Sequence, residues 1–221
     1  DRQEIIRAIS YLDNCLTTRL GYFFEAKSML HEVLDKANSK NPDGGFVAPT
    51  VEEVQFALSL TGNASLRFVF FSELRNPEWV DGLNRVNAFN RGKVQEGDEG
   101  GHFAWPEANF LRNIALACPD KVAEIIIDVG SNPNFEIRHS IISLAIVLPE
   151  KEEIEIAREV ARWAKDGFGA GTYFWLEDGV FALLKRLLGS KERSATIEGR
   201  KIFEACFKPH RANGMFSSVN A

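Results

Sequence analysis

Histidine and cysteine are the residues of this chain that could most readily bind a metal or act as nucleophiles. The histidines are His31, His102, His139 and His210, and the cysteines are Cys15, Cys118 and Cys206. No two histidines have the spacing of a zinc-binding helix motif, and no two cysteines form a CxxC pair. Serine does not occur in a GxSxG turn. We therefore expect no catalytic residue, no metal and no cofactor, and we expect the cysteines to be free thiols in a reducing cytoplasm.

A long polar segment, NRGKVQEGDEGGHFAW at residues 90–105, interrupts the helical pattern. Its three acids lack the spacing of an EF-hand, so a cation site is not predicted. Long loops in compact arrays are often functional, and aromatic side chains can anchor a partner while an acidic rim steers basic ones. The candidate partner-binding residues are Glu96, Asp98, Glu99, His102, Phe103 and Trp105. A solvated loop, with Trp105 packed in the core, is the alternative.

The turn GFGAGT, residues 167–172, has the glycine content of a phosphate-binding loop. It lacks the lysine of a P-loop and follows a helical pattern instead of a strand. A turn between two helices is therefore the better interpretation. The charged stretch EKEEIEIARE at residues 150–159 suits a solvated helix face with acids in the first turn.

Helices must position these residues, because every long apolar pattern in the chain has helical spacing. Such a pattern runs from Arg2 to Asn38, and a loop rich in proline and glycine follows at residues 39–50. Thr50 and Glu53 have the spacing of a capping box. In FFSELRNPEWVDGLN, Asn76 is a candidate N-cap with Pro77 at the first helical position, where a missing N–H costs nothing.

Prolines recur at regular intervals along part of the chain. Pro49, Pro77, Pro106 and Pro133 recur about every 28 residues, and each precedes a helical pattern. Later helices are predicted at residues 173–188 and 194–207. We expect an all-α fold, an irregular HEAT-like α-solenoid of antiparallel helix pairs; a non-repetitive helical bundle is the alternative.

The predicted organisation has three parts. Residues 1–40 form a helical hairpin or a linker to an upstream domain, residues 50–207 form the repeat domain with the insertion at 90–105, and residues 208–221 form a C-terminal tail. The chain starts inside a helical pattern, so we expect a fragment of a larger protein.

Composition limits the class of partner. The 221 residues are 45% hydrophobic and carry a net charge of −5, which argues against a nucleic-acid surface. No apolar run reaches the length of a membrane span, so we expect a cytoplasmic protein.

The span LRFVFFSELRNPEWVDGLNRVNAF, followed after the loop by HFAWPEANFLRNIALACPDKVAEIIIDV, resembles the helical repeat regions of large, poorly characterised bacterial proteins. Some of those proteins look like NTPase-coupled sensor or defence proteins. The resemblance covers residues 50–150. It implies a bacterial cytosolic repeat platform beside other domains, and it supplies no catalytic residue.

The function expected from this pattern is a non-catalytic scaffold that binds another protein or another domain of its own chain. Two alternatives remain. A HEAT-like DNA-binding or DNA glycosylase-type enzyme would need a basic concave face, which the acidic balance argues against. A purely structural linker domain would have no pocket.

Overall fold

In a computed structural model the chain is all-α over the residues that it describes, which are 2–92, 105–130, 134–166 and 173–207. The α-helices within those ranges are α1 (Arg2–Asn38), α2 (Val51–Leu60), α3 (Ala64–Glu73), α4 (Trp79–Arg85), α5 (Glu107–Ile114), α6 (Pro119–Val129), α7 (Phe135–Ala145), α8 (Glu150–Asp166), α9 (Tyr173–Gly189) and α10 (Arg193–Phe207). A 3-10 helix spans Ala88–Gly92. The predicted all-α class is confirmed, and the two late helices lie within one residue of their predicted bounds.

The chain divides into two compact units. Unit 1 contains Asp1–Asn90 and Pro106–Cys118, and unit 2 contains Arg91–Trp105 and Pro119–Ala221. The boundary expected at residues 39–50 therefore lies inside unit 1. The helical hairpin considered for residues 1–40 is wrong, because one continuous helix, α1, passes through Gly21 without a turn. The predicted tail at 208–221 lies outside the described residues.

Side-chain caps define several helix starts. The capping box at Thr50 is confirmed: the Glu53 N–H donates to the Thr50 hydroxyl at 3.2 Å, and the Thr50 N–H donates to the Glu53 carboxylate at 2.9 Å. Asn76 accepts from the Glu78 N–H at 2.9 Å, as an N-cap does. The regular helix nevertheless begins at Trp79, because the residues after Asn76 form a turn.

In unit 1, helices that are separated by one other helix in the sequence contact each other. Contacts join α1 to α3, α3 to α5 and α2 to α4, and α2 also contacts both α1 and α3. The largest fully buried side chains of unit 1 are Leu30, Phe70, Phe71, Leu74, Leu83, Phe110, Leu111 and Ile114. Gly82 of α4 allows the closest approach, because a Cβ there would meet the Val54 side chain of α2 at 2.9 Å.

Unit 2 repeats this order of packing. Contacts join α6 to α8, α8 to α10 and α7 to α9, with α7 also against α8 and α9 against α10. The apolar helix α7 is buried through Ile137, Ile141 and Ile142, as a centrally packed helix requires.

The prediction that residues 150–159 form a solvated helix face is wrong in part. Glu152, Glu153 and Glu159 of α8 are buried. Glu153 tolerates burial because the Arg186 guanidinium of α9 donates two hydrogen bonds of 2.9 Å to its two carboxylate oxygens. The acids of α8 thus join helices as well as facing water.

Candidate functional site

Most of the partner-binding residues expected from the sequence cannot be placed. Glu96, Asp98, Glu99, His102 and Phe103 lie outside the described residues, as does the glycine-rich turn at 167–172. Their proposed role stays a prediction.

Trp105 is the member of that set that the structure describes. It is only 4% exposed, and its indole N–H has no hydrogen-bond acceptor among the described residues. A side chain buried to this degree offers little surface to a partner. Its partner-binding role, too, stays a prediction.

The described residues hold no cluster suited to metal binding. No group of three or more histidine, cysteine, aspartate or glutamate side chains in those residues could hold a metal ion. His31 and His139 are exposed on separate helices, and none of the three cysteines, all within the described ranges, forms a disulfide.

An apolar groove of about 340 Å³ lies on the surface of unit 1. It is bounded by the C-terminal part of α1, the segment before α2, the first turns of α2 and the start of α4. Its lining residues are Met29, Glu32, Val33, Lys36, Ala37, Val47, Ala48, Pro49, Glu53, Phe56 and Trp79. We call this feature the unit 1 groove.

The aromatic residues of the unit 1 groove differ in exposure. Trp79 is 4% exposed and packs edge-to-face on Phe70, with ring centroids 5.9 Å apart, so it is fixed by the core. Phe56 is 46% exposed and Val47 is 53% exposed. The groove thus combines a rigid aromatic base with apolar side chains that remain in water.

A tight turn shapes the segment that leads into the groove. The Gly44 N–H donates to the Asn41 carbonyl and the Asn41 N–H to the Gly45 carbonyl, both at 2.8 Å. Gly44 has a φ of 81°, which a residue without a Cβ adopts at little cost. The turn brings Lys40 and Phe46 into a single bridge, with the Lys40 ammonium 5.1 Å from the Phe46 ring centroid.

Asn76 fastens the same segment to the helices. Its side-chain amide, 1% exposed, donates to the Ala37 carbonyl at the end of α1 and to the Val47 carbonyl, each at 2.8 Å. Its carbonyl oxygen caps the turn before α4. One side chain therefore joins three of the four structural parts that border the groove.

An ion pair crosses the rim of the groove. The Lys36 ammonium of α1 lies 2.6 Å from the Glu53 carboxylate of α2. The hydrogen bond from Lys36, followed by the one from the Thr50 N–H, holds the pKa of Glu53 below its ordinary value. The two charges satisfy each other, and the rest of the groove lining is mainly apolar.

The sequence did not predict this groove. Trp79 was visible as an aromatic residue after an Asn-Pro turn, and Val47 to Pro49 as a loop. The groove exists because α1, the loop, α2 and α4 pack together, and no local pattern records that packing.

Comparison with protein-family models, with curated proteins and with solved structures finds no match. Among the described residues, no helix is long and apolar enough to cross a membrane.

Proposed function

We propose that the chain is a non-catalytic helical repeat scaffold that binds another protein, or another domain of a larger bacterial protein, through the unit 1 groove. The open apolar groove is the observation that carries this proposal. Val47 and Phe56 are half exposed there beside a buried tryptophan, and covering them would remove apolar surface from water.

The order of helix packing supports the repeat part of the proposal. In unit 1, α1, α3 and α5 form one series of contacts and α2 with α4 another; in unit 2 the corresponding series are α6, α8, α10 and α7, α9. Stacked helix pairs in a solenoid give this alternation, because each pair packs on the next. A bundle with irregular connections has no reason to repeat it.

The groove also favours recognition over the two alternative functions. A structural linker predicts no pocket. A DNA-reading enzyme predicts a basic face, whereas the groove lining contains two carboxylates, Glu32 and Glu53, and one ammonium, Lys36.

The test uses a matched pair of exposed phenylalanines. A photo-crosslinking residue placed at Phe56 in the native host identifies the partner, which is then purified and titrated against the chain. Phe56→Ala is expected to weaken binding by about thirtyfold, the effect of losing an interface anchor. Phe181→Ala removes an equally exposed ring from α9, 47% against 46%, and is expected to leave the affinity unchanged.

Two results would contradict the proposal. One is a partner whose affinity is the same for Phe56→Ala and the unaltered chain. The other is the absence of any crosslinked protein although the crosslinking variant folds, as judged by its circular dichroism.

A further inference from the structure

The unit 1 groove is one end of a longer stripe on α1. Residues on the side of α1 that borders the groove recur three or four positions apart, apart from the adjacent pair Glu32 and Val33, which places them on one helical face. These residues are Tyr11, Cys15, Thr18, Tyr22, Glu25, Met29, Glu32, Val33 and Lys36. We call this set the α1 stripe.

The α1 stripe is apolar at widely spaced points and is exposed to solvent. Tyr11 is 70% exposed and Tyr22 is 68% exposed, while Met29 and Val33 are half buried in the groove. The intervals between these four residues are close to whole helical turns. Such anchors are the pattern by which one amphipathic helix packs along another.

The dimensions of the stripe fit a helix. From Tyr11 to Lys36 the axis of α1 rises about 38 Å, the length of a partner helix of about 25 residues. One end of that partner would lie on Tyr11 and Tyr22. Its other end would enter the groove, where Phe56 and Val47 add apolar surface on the other side.

The charges beside the stripe indicate the chemistry of the partner. Glu25 and Glu32, seven residues apart, are both exposed, and neither has an ion-pair partner among the described residues. Of the cations beside it, Lys36 is already bound to Glu53, and Arg19, three residues before Tyr22, leaves the two glutamates in excess. A partner with positive charge beside its apolar residues would therefore be attracted, and one with negative charge would be repelled.

We propose that the occupant of the groove and the α1 stripe is an amphipathic helix of a partner protein that carries lysine or arginine beside its apolar residues. This inference rests on the proposed function, because it names the partner class for the same groove. It adds the helical form of the partner, its position along α1 and its charge.

The test titrates the full chain with fluorescent synthetic peptides of about 25 residues. The cationic peptide carries a leucine stripe flanked by lysines, the anionic peptide replaces each lysine by glutamate, and the scrambled peptide keeps the cationic composition without a stripe. We expect binding of the cationic peptide alone. Its affinity is expected to fall at least about tenfold in Glu25→Gln/Glu32→Gln and between about 50 and 500 mM salt.

Two control variants separate this site from general attraction to an acidic protein. Glu124→Gln/Glu155→Gln makes the same change in net charge on α6 and α8 and is expected to leave the affinity unchanged. Tyr22→Ala alters an exposed position within α1 and is expected to lower the affinity for the cationic peptide without affecting folding.

The outcomes distinguish this inference from the proposed function. Equal binding of cationic and anionic peptides overturns the charge assignment and leaves the groove as a protein-binding site. Failure of every peptide, while a host partner still depends on Phe56, overturns the helical occupant. If no partner depends on Phe56, both proposals fail. A dimer in sedimentation that Tyr22→Ala dissociates would assign the stripe to a second copy and overturn the inference.

Discussion

Replacing Asn76 by alanine is expected to destabilise unit 1 by about 3 kcal/mol, at about 1 kcal/mol for each hydrogen bond lost. The side chain makes three such bonds, to the Ala37 and Val47 carbonyls and from the Glu78 N–H, all between 2.8 and 2.9 Å. Asn76 is 1% exposed, so water cannot readily replace them. The same change frees Val47, so it should also weaken partner binding at the groove.

Asn38 provides the matched control. It is an asparagine that also joins α1 to the region after α3, donating to the Glu73 carbonyl at 2.9 Å and accepting from the Arg75 N–H at 2.7 Å. These bonds are exposed to solvent. Asn38→Ala is therefore expected to cost less than about 1 kcal/mol, because water can take over both bonds.

Hydrogen exchange of the backbone amides measures both variants within unit 1. Because the chain contains two compact units, a global melting curve could mix two transitions. Exchange in α2 and α3 reports the local free energy of opening, and a loss of about 3 kcal/mol corresponds to exchange faster by about two orders of magnitude. If Asn76→Ala accelerates exchange no more than Asn38→Ala, burial does not control the strength of this contact and the reasoning is refuted.

Three further changes test other contacts. Gly82→Ala is expected to lower the free energy of opening of unit 1 by about 1 to 3 kcal/mol, measured by hydrogen exchange in α2, because its Cβ would meet the Val54 side chain of α2 at 2.9 Å. Gly21→Ala, with open space around it, should leave that exchange unchanged or slow it; equal effects of the two changes would contradict the close packing. Arg67→Ala should lower the free energy of opening of unit 1, measured by hydrogen exchange in α3, by about 3 to 5 kcal/mol, because it leaves the buried Glu107 carboxylate without its cation. Adding Glu107→Leu should recover part of that loss; additive losses would argue against an unpaired buried charge. Because the pKa of Glu53 is lowered in the folded state, its contribution to the free energy of unfolding is present above its ordinary pKa and is lost as the pH falls through the lowered pKa. Glu53→Gln should therefore flatten the acid limb of a plot of stability against pH. An unchanged acid limb would exclude this role.

Local features of the fold could be predicted from the sequence because they depend on neighbouring residues. The capping box at Thr50 needs only Thr50 and Glu53, and the late helices follow from apolar residues at helical spacing. Prolines marked helix starts for the same reason: Pro106 and Pro119 stand at the beginnings of α5 and α6.

Features made by distant residues could not be predicted. Glu107 looks like an ordinary first-turn acid, yet it is completely buried because Arg67, forty residues earlier, reaches it with a guanidinium. Glu153 is hidden in the same way by Arg186. The groove belongs to this class as well, since Met29, Phe56 and Trp79 meet only when three helices pack.

The two parts of the long helix α1 open on different time scales. Its last turns are fixed by burial of Leu30, Leu34 and Ala37, and they can open only when unit 1 opens. Leu16, Leu20 and Phe24 of α1 are exposed, so that stretch is held mainly by its own helical hydrogen bonds, which form and break in about a microsecond or less. If a partner bound the groove first, the rest of α1 would refold as a helix much faster than the partner could dissociate. Binding at the groove and the later formation of contacts toward Tyr11 would be separate kinetic phases. The second phase would set the lifetime of the complex.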